Sequence, residues 1–213
     1  MTTYTISMKL KQSVFSLLIV LSAGSGLCQE SYKDSLNSYI DSINLYITNY
    51  VNNHEVVTGE DTQYFRFFPV DEKYKIIARF RKAINSKWFS METSGAIRKT
   101  FRVYGSLHFS INDTTVTMNL YQSQSLMNTD EYQDHLFLPF ADLTSGEETY
   151  ESGRYIDLFI TDIVNNQVII DFNKAYNPYC AYISGKYNCP IPPAENQVEV
   201  AIPAGEKIFA KPK

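Results

Sequence analysis

The spacing of apolar and polar positions changes character twice along the chain. Residues 8–28 read MKLKQSVFSLLIVLSAGSGLC: Lys9 and Lys11 precede a largely apolar run from Val14 to Ala23, and small residues follow. This is the layout of a secretory signal peptide, and the run is too short for an ordinary membrane-spanning helix. Residues 1–28 are therefore expected to be removed, leaving one β-rich domain over residues 29–213 of an exported, periplasmic or extracellular protein. Cys28 opens one alternative, a lipid anchor, although Leu27 stands where lipid attachment wants a small residue.

From residue 30 to residue 52 the period is that of a helix. Tyr32, Leu36, Tyr39, Ile40, Ile43, Tyr46, Ile47, Tyr50 and Val51 recur in steps of three and four, and Asn52-Asn53 supplies a stop. After residue 60 the period becomes two. Tyr74, Ile76, Ala78 and Phe80 alternate with mostly basic residues, and Phe101, Val103, Leu107, Phe109 and Ile111 form a second alternating set. Further strand candidates are 63–69, 87–92, 116–120, 135–140, 154–161, 167–172 and 197–202, and Gly105 suits a sharp bend inside a strand. Asn112-Asp113 and Asn165-Asn166 are tight-turn signals. The expectation is a mainly β fold, an antiparallel barrel or sandwich of about nine strands with one N-terminal amphipathic helix. The aromatic content, 16 Tyr and 13 Phe in 213 residues, agrees with sheet. A net charge of -4 gives no basic face for nucleic acid, and no membrane association is expected unless Cys28 is lipidated.

The last third is different in kind. It reads PFADLTSGEETYESGRYIDL, then DFNKAYNPYCAYISGKYNCPIPPAENQVEVAIPAGEK. Over residues 136–207 these stretches resemble a bacterial and archaeal family known as domain of unknown function 1684, in the runs PF-D-TSG-TY-GRY, DFN-AYNPYCAY, C-P-PP-EN and AGEK. The resemblance implies no reaction, but it directs attention to this segment.

Its polar residues suggest a site. Tyr150 and the hydroxyls around it precede Arg154, whose planar fork of donors suits a carboxylate or another anion. Asp171 and Asn173 share one face of the strand that ends there, and Asn177-Pro178 turns the chain. If Asn165-Asn166 makes strands 154–161 and 167–172 hairpin neighbours, Arg154 comes opposite Asp171 and Asn173. The leading expectation is thus a binding module for a small polar or anionic ligand, walled by Tyr150, Arg154, Asp171, Asn173 and Asn177. The rival is a hydrolase-like enzyme using Asp171 or Glu206 as acid or base. A third reading is a structural domain in which the same residues find all their partners inside the protein.

Cys180 and Cys189 are the two cysteines left after processing, and in an exported chain they read as a disulfide. A calcium loop fails, since Tyr176 stands at the glycine position of the motif. No zinc ligand set surrounds the cysteines, so no metal is expected. His54, His108 and His135 lack metal-ligand spacing and read as surface or network residues. There is no phosphate loop, nucleophile elbow or dinucleotide fingerprint, and no cofactor is expected.

Overall fold

The structure, a computed structural model, describes residue 29 and residues 31–212, so the expected signal peptide lies outside the described residues. The chain divides into two units, residues 1–42 and residues 43–213. In the first, residues 31–42 are helical, and the Ser38 and Ser42 hydroxyls donate to the Asp34 and Tyr39 carbonyls at 2.8 and 2.7 Å. The second unit opens with helical residues 43–52. Asn53 closes that helix by donating to the Asn49 carbonyl from its backbone (3.0 Å) and from its side chain (2.9 Å). Ile43 is buried, while Tyr46 keeps an exposed edge.

Seven strands follow: β1 (Lys75–Lys82), β2 (Phe89–Met91), β3 (Lys99–Ile111), β4 (Thr114–Ser123), β5 (His135–Phe140), β6 (Arg154–Phe159) and β7 (Gln167–Asp171). They form one antiparallel sheet in the order β6-β5-β4-β3-β1-β7, with β2 added to β3. The sheet curls into a half-barrel. The β6 edge is bridged to the segment beyond β7, where Tyr155 exchanges backbone hydrogen bonds of 2.9 and 3.0 Å with Tyr176. Both tight turns form where Asn and Asp tolerate positive φ: 47° and 60° at Asn112-Asp113, 52° and 57° at Asn165-Asn166.

Two of the nine expected strand segments take another form. Residues 59–64 coil as a 3-10 helix, after which Phe67 makes a single bridge to Glu206. In 197–202 Gln197 makes a single parallel bridge to Ala141, and side chains serve the backbone of Ile202. The Ile202 N–H donates to the Asp142 carboxylate at 2.7 Å, and the Ile202 carbonyl accepts from Arg154 at 2.9 Å. Those bonds replace a ladder, while Val200 and Ile202 still enter the core.

The main core lies on one face of the sheet. It contains Tyr74, Ala78 and Phe80 of the β1 region, Leu107, Phe109 and Ile111 of β3, and Leu136, Leu138 and Phe140 of β5. A second cluster, on the other face of β3 to β6, contains Met91, Phe101, Tyr121, Phe137 and Tyr155. β5 is therefore buried at all six positions, because both its faces are covered.

The alternating set expected on one face of β3 is split between these clusters. Val103 pairs with Tyr121 and Gly105 pairs with Leu120, so Tyr104 is an extra residue, a bulge. Such an insertion turns the following side chains to the opposite face. Phe101 and Val103 accordingly join the aromatic cluster, and Leu107, Phe109 and Ile111 the main core.

Candidate functional site

Four of the five residues expected to wall a pocket, Arg154, Asp171, Asn173 and Asn177, are buried inside the protein. Arg154 opens β6 and has no exposed surface. Its guanidinium pairs with Asp142 at 3.3 Å and donates to the carbonyls of Ile202, Ala204 and Glu206. Asp142 in turn accepts from the Thr144 hydroxyl at 2.7 Å and the Ser145 hydroxyl at 3.3 Å. Burial pushes the Arg154 guanidinium down to about 10, against the opposing pull of Asp142 and Glu206, so it stays charged at neutral pH. The run from Ala141 to Arg154 is thus a knot tied to the last segment of the chain. Gly153 belongs to it at φ 87°, where a Cβ would stand 2.4 Å from the Phe140 carbonyl oxygen.

Arg154 does not meet Asp171 or Asn173. The Asn165-Asn166 turn joins only Val164 to Gln167, through bonds of 2.9 Å in both directions. β6 and β7 stand at opposite ends of the strand order, because β7 pairs with β1. Asp171 accepts from the Asn173 backbone and side chain at 3.1 and 3.0 Å, and Asn173 brackets the backbone of Asp71 with bonds of 3.0 and 2.9 Å. Tyr150 is half-buried beside the Gly153 turn, to which its carbonyl bonds at 3.0 Å.

Asn177 belongs to a third group, around Glu206. The Glu206 carboxylate accepts from the Asn177 backbone at 2.9 Å, from Tyr182 at 2.8 and 2.9 Å and from Tyr50 at 3.2 Å. It has no exposed surface, and desolvation, partly offset by these donors, raises its pKa to about 7. The Tyr50 and Tyr182 hydroxyls are pushed well above the ordinary tyrosine range, first by burial and then by Glu206. His54 packs edge-on against Tyr50, Phe65 and Tyr182 and accepts the Val57 N–H at 2.9 Å. Burial holds it below the usual histidine range. Glu206 has no exposed surface and Asp171 only 8%, and each is held by its own partners, so neither is well placed to exchange a proton with a bound substrate.

A cavity lies elsewhere, on the aromatic face of β3 to β6, with a volume of about 550 Å³. Its floor is Phe101 stacked on Phe137 (5.6 Å) and Tyr155 edge-on to Phe137 (4.7 Å). A wall is made by Tyr176, Pro178 and Tyr179 and the run Tyr187–Pro190. Cys180 and Cys189 are joined as a disulfide, Cα atoms 6.3 Å apart, which holds that wall. Tyr155 donates its hydroxyl to the Pro190 carbonyl and ties wall to floor.

At the β6 side of the cleft stands Asp157. One carboxylate oxygen is 2.8 Å from His135 Nε2 and the other accepts the Tyr176 hydroxyl at 2.7 Å, yet the side chain remains 42% exposed. Tyr176 is held neutral by burial and by Asp157. His135 was expected to be a surface or network residue, and Asp157 was not expected at a site. The signal was there: consecutive strands usually pair, and antiparallel pairing of β5 with β6 sets Phe137 opposite Asp157 and puts His135 two residues away on the same face. The third histidine, His108, bonds Ser106 and Thr117 hydroxyls at 2.9 and 3.1 Å, farther along β3 and β4 on the sheet face that carries Tyr121. Among the described residues, no group of three or more His, Cys, Asp or Glu is gathered as a metal site, and no helix is long and apolar enough to cross a membrane.

Comparison with known proteins agrees with the motif region. A sequence model for a family described as protein of unknown function (DUF1684) matches residues 62–207. A solution NMR structure of an uncharacterized protein from Haloarcula marismortui, gene locus rrnAC0354, is similar at 25% identity, with 84% of this chain and 95% of that chain covered and a TM-score of 0.59. No curated protein matches.

Proposed function

The chain belongs to the DUF1684 family, and we propose that it is a binding module whose ligand occupies the aromatic cleft over β3 to β6. The observation that carries this reading is the cleft itself. It is a cavity of about 550 Å³, within the range of small-molecule sites, with an aromatic floor and a few polar groups at one side. Of the expected ligand, small and polar or anionic, the small size is kept. The residues that meet it change, from the Arg154 group to the Phe137–Tyr155 floor and the His135–Asp157 pair. The Arg154, Asp171 and Glu206 groups then serve as the frame that holds the cleft walls. An enzymatic reading on Asp171 or Glu206 has less support, because both carboxylates are enclosed by their own partners.

The test is a fragment screen by NMR with resonances of Phe137 and Tyr155 assigned, beside the variant Ser125→Trp. Ser125 is an exposed residue on the cleft border, so the indole is expected to fill the cleft without disturbing the fold. Fragments should shift the Phe137 and Tyr155 resonances in the parent and not in a Ser125→Trp protein of unchanged melting temperature. Absence of such shifts across the screen, or equal binding by both proteins, overturns the reading.

The same reading has the protein exported. The Lys9–Ala23 pattern and a disulfide between Cys180 and Cys189 support it. Mass spectrometry of the protein from its natural host should find a mature terminus near Gln29. An intact Met1 or Met8 terminus overturns export, and a diacylglyceryl mass on Cys28 decides for a lipid anchor.

A further inference from the structure

We infer that the ligand class of the aromatic cleft is a small organic cation, an ammonium carried on an apolar or aromatic body, seated with its charge at Asp157. The inference rests on the proposed binding function and deepens it.

The argument is an accounting of donors and acceptors. A carboxylate offers about four lone-pair sites. Two at Asp157 are taken, by His135 Nε2 and by the Tyr176 hydroxyl, and the side chain is still 42% exposed. Acceptor capacity therefore remains on the cleft side. Three donors beside Asp157 are already used: the His135 Nε2–H and the Tyr176 O–H on Asp157 itself, and the Tyr155 O–H on the Pro190 carbonyl, while the other ring nitrogen of His135 is buried. An incoming anion would meet the exposed negative oxygens of Asp157. An incoming ammonium finds the acceptors it needs.

The rings complete the seat. Phe137, Tyr155 and Tyr176 surround the approach to Asp157, with Phe137 to Tyr155 and Tyr155 to Tyr176 packed edge to face at 4.7 and 5.8 Å. Aromatic rings attract cations, most strongly where water is scarce. The one lysine on the cleft, Lys99, does not neutralise this end. It begins β3, three strands from β6 in the sheet order, which is about 14 Å along the sheet.

Three probes with the same aromatic body separate the outcomes: 2-phenylethylammonium, 2-phenylethanol and 3-phenylpropionate. Each is titrated by NMR into the parent, Asp157→Asn and Tyr176→Phe. The ammonium should bind about tenfold tighter than the alcohol, and the propionate more weakly than either. Asp157→Asn should erase the preference for the ammonium, whereas Tyr176→Phe, which keeps the carboxylate, should retain it. Unchanged melting temperatures establish that both variants fold. If the propionate or the alcohol shifts Phe137 and Tyr155 as strongly as the ammonium, or Asp157→Asn keeps the preference, the cation class is overturned while the cleft remains a binding site. If none of the three shifts those resonances, the ligand class is overturned, and the fragment screen with Ser125→Trp decides the fate of the cleft itself.

Discussion

Val103 and Gly105 are two residues apart in β3 yet face opposite sides of the sheet, Val103 toward the aromatic cluster and Gly105 toward the main core. The bulge at Tyr104 thus lets one strand serve both the frame and the cleft. A Cβ at position 105 would stand 2.3 Å from the Phe80 ring and 2.7 Å from the Arg81 carbonyl. Gly105→Ala should therefore destabilise the fold by about 1–3 kcal/mol, the usual range for overpacking. Urea unfolding measures it, and an unchanged midpoint would show that β1 yields to the methyl group.

Arg154→Lys should lower stability without any ligand present. Lysine keeps the charge but cannot reach Asp142 and three carbonyls with a planar fork. Disrupting a buried pair of this kind costs about 3–5 kcal/mol when one partner is removed, and the lysine variant should lose a large part of that. Asp142→Asn should fall similarly. A melting curve for Arg154→Lys that overlays the parent would remove the structural role.

Glu206 makes stability depend on pH in a definite direction. Its folded pKa is raised from 4.5 to about 7. Between those values the folded state holds a proton that the unfolded state releases, so stability falls as pH rises from about 4.5 through 7. The full swing from this group is about 3 kcal/mol. Urea unfolding at pH 5 and pH 8 should show it, on top of the slopes of other groups, and Glu206→Gln should flatten that part. Identical pH slopes in parent and variant would refute the assignment.

Reduction of the Cys180–Cys189 bond should lower stability by about 3 kcal/mol, the chain-entropy value for a loop of about ten residues. Since Tyr187–Pro190 also walls the cleft, the reduced protein should bind cleft ligands more weakly. Unfolding and titration with and without dithiothreitol test both statements.

Ile43→Asp should be severely destabilising, by more than about 3 kcal/mol, because the position is 2% exposed and offers the new charge no solvent. A melting temperature equal to the parent's would show that this helical residue contributes no buried surface.

What the sequence determined by itself is local. Period-two alternation marks β1, β4 and most of β3, since successive side chains of a strand must point to opposite faces. Asn112-Asp113 and Asn165-Asn166 turn as their residue types allow, and Cys180 and Cys189 are near enough in sequence to be read as a pair. The tertiary structure decided which strands became neighbours and which side chains paired. β7 went to β1 instead of β6, so Arg154 found Asp142 and the carbonyls of 202–206 instead of Asp171. One extra residue at Tyr104 reassigned half of β3 to the other face. His135, Asp157 and the rings around them became a cleft only when β3 to β6 lay side by side under the disulfide-held wall. Periodicity and turn preference are properties of a few adjacent residues. The partner of a buried charge is chosen by the whole chain, because its desolvation must be offset by whatever group the fold brings within hydrogen-bond reach.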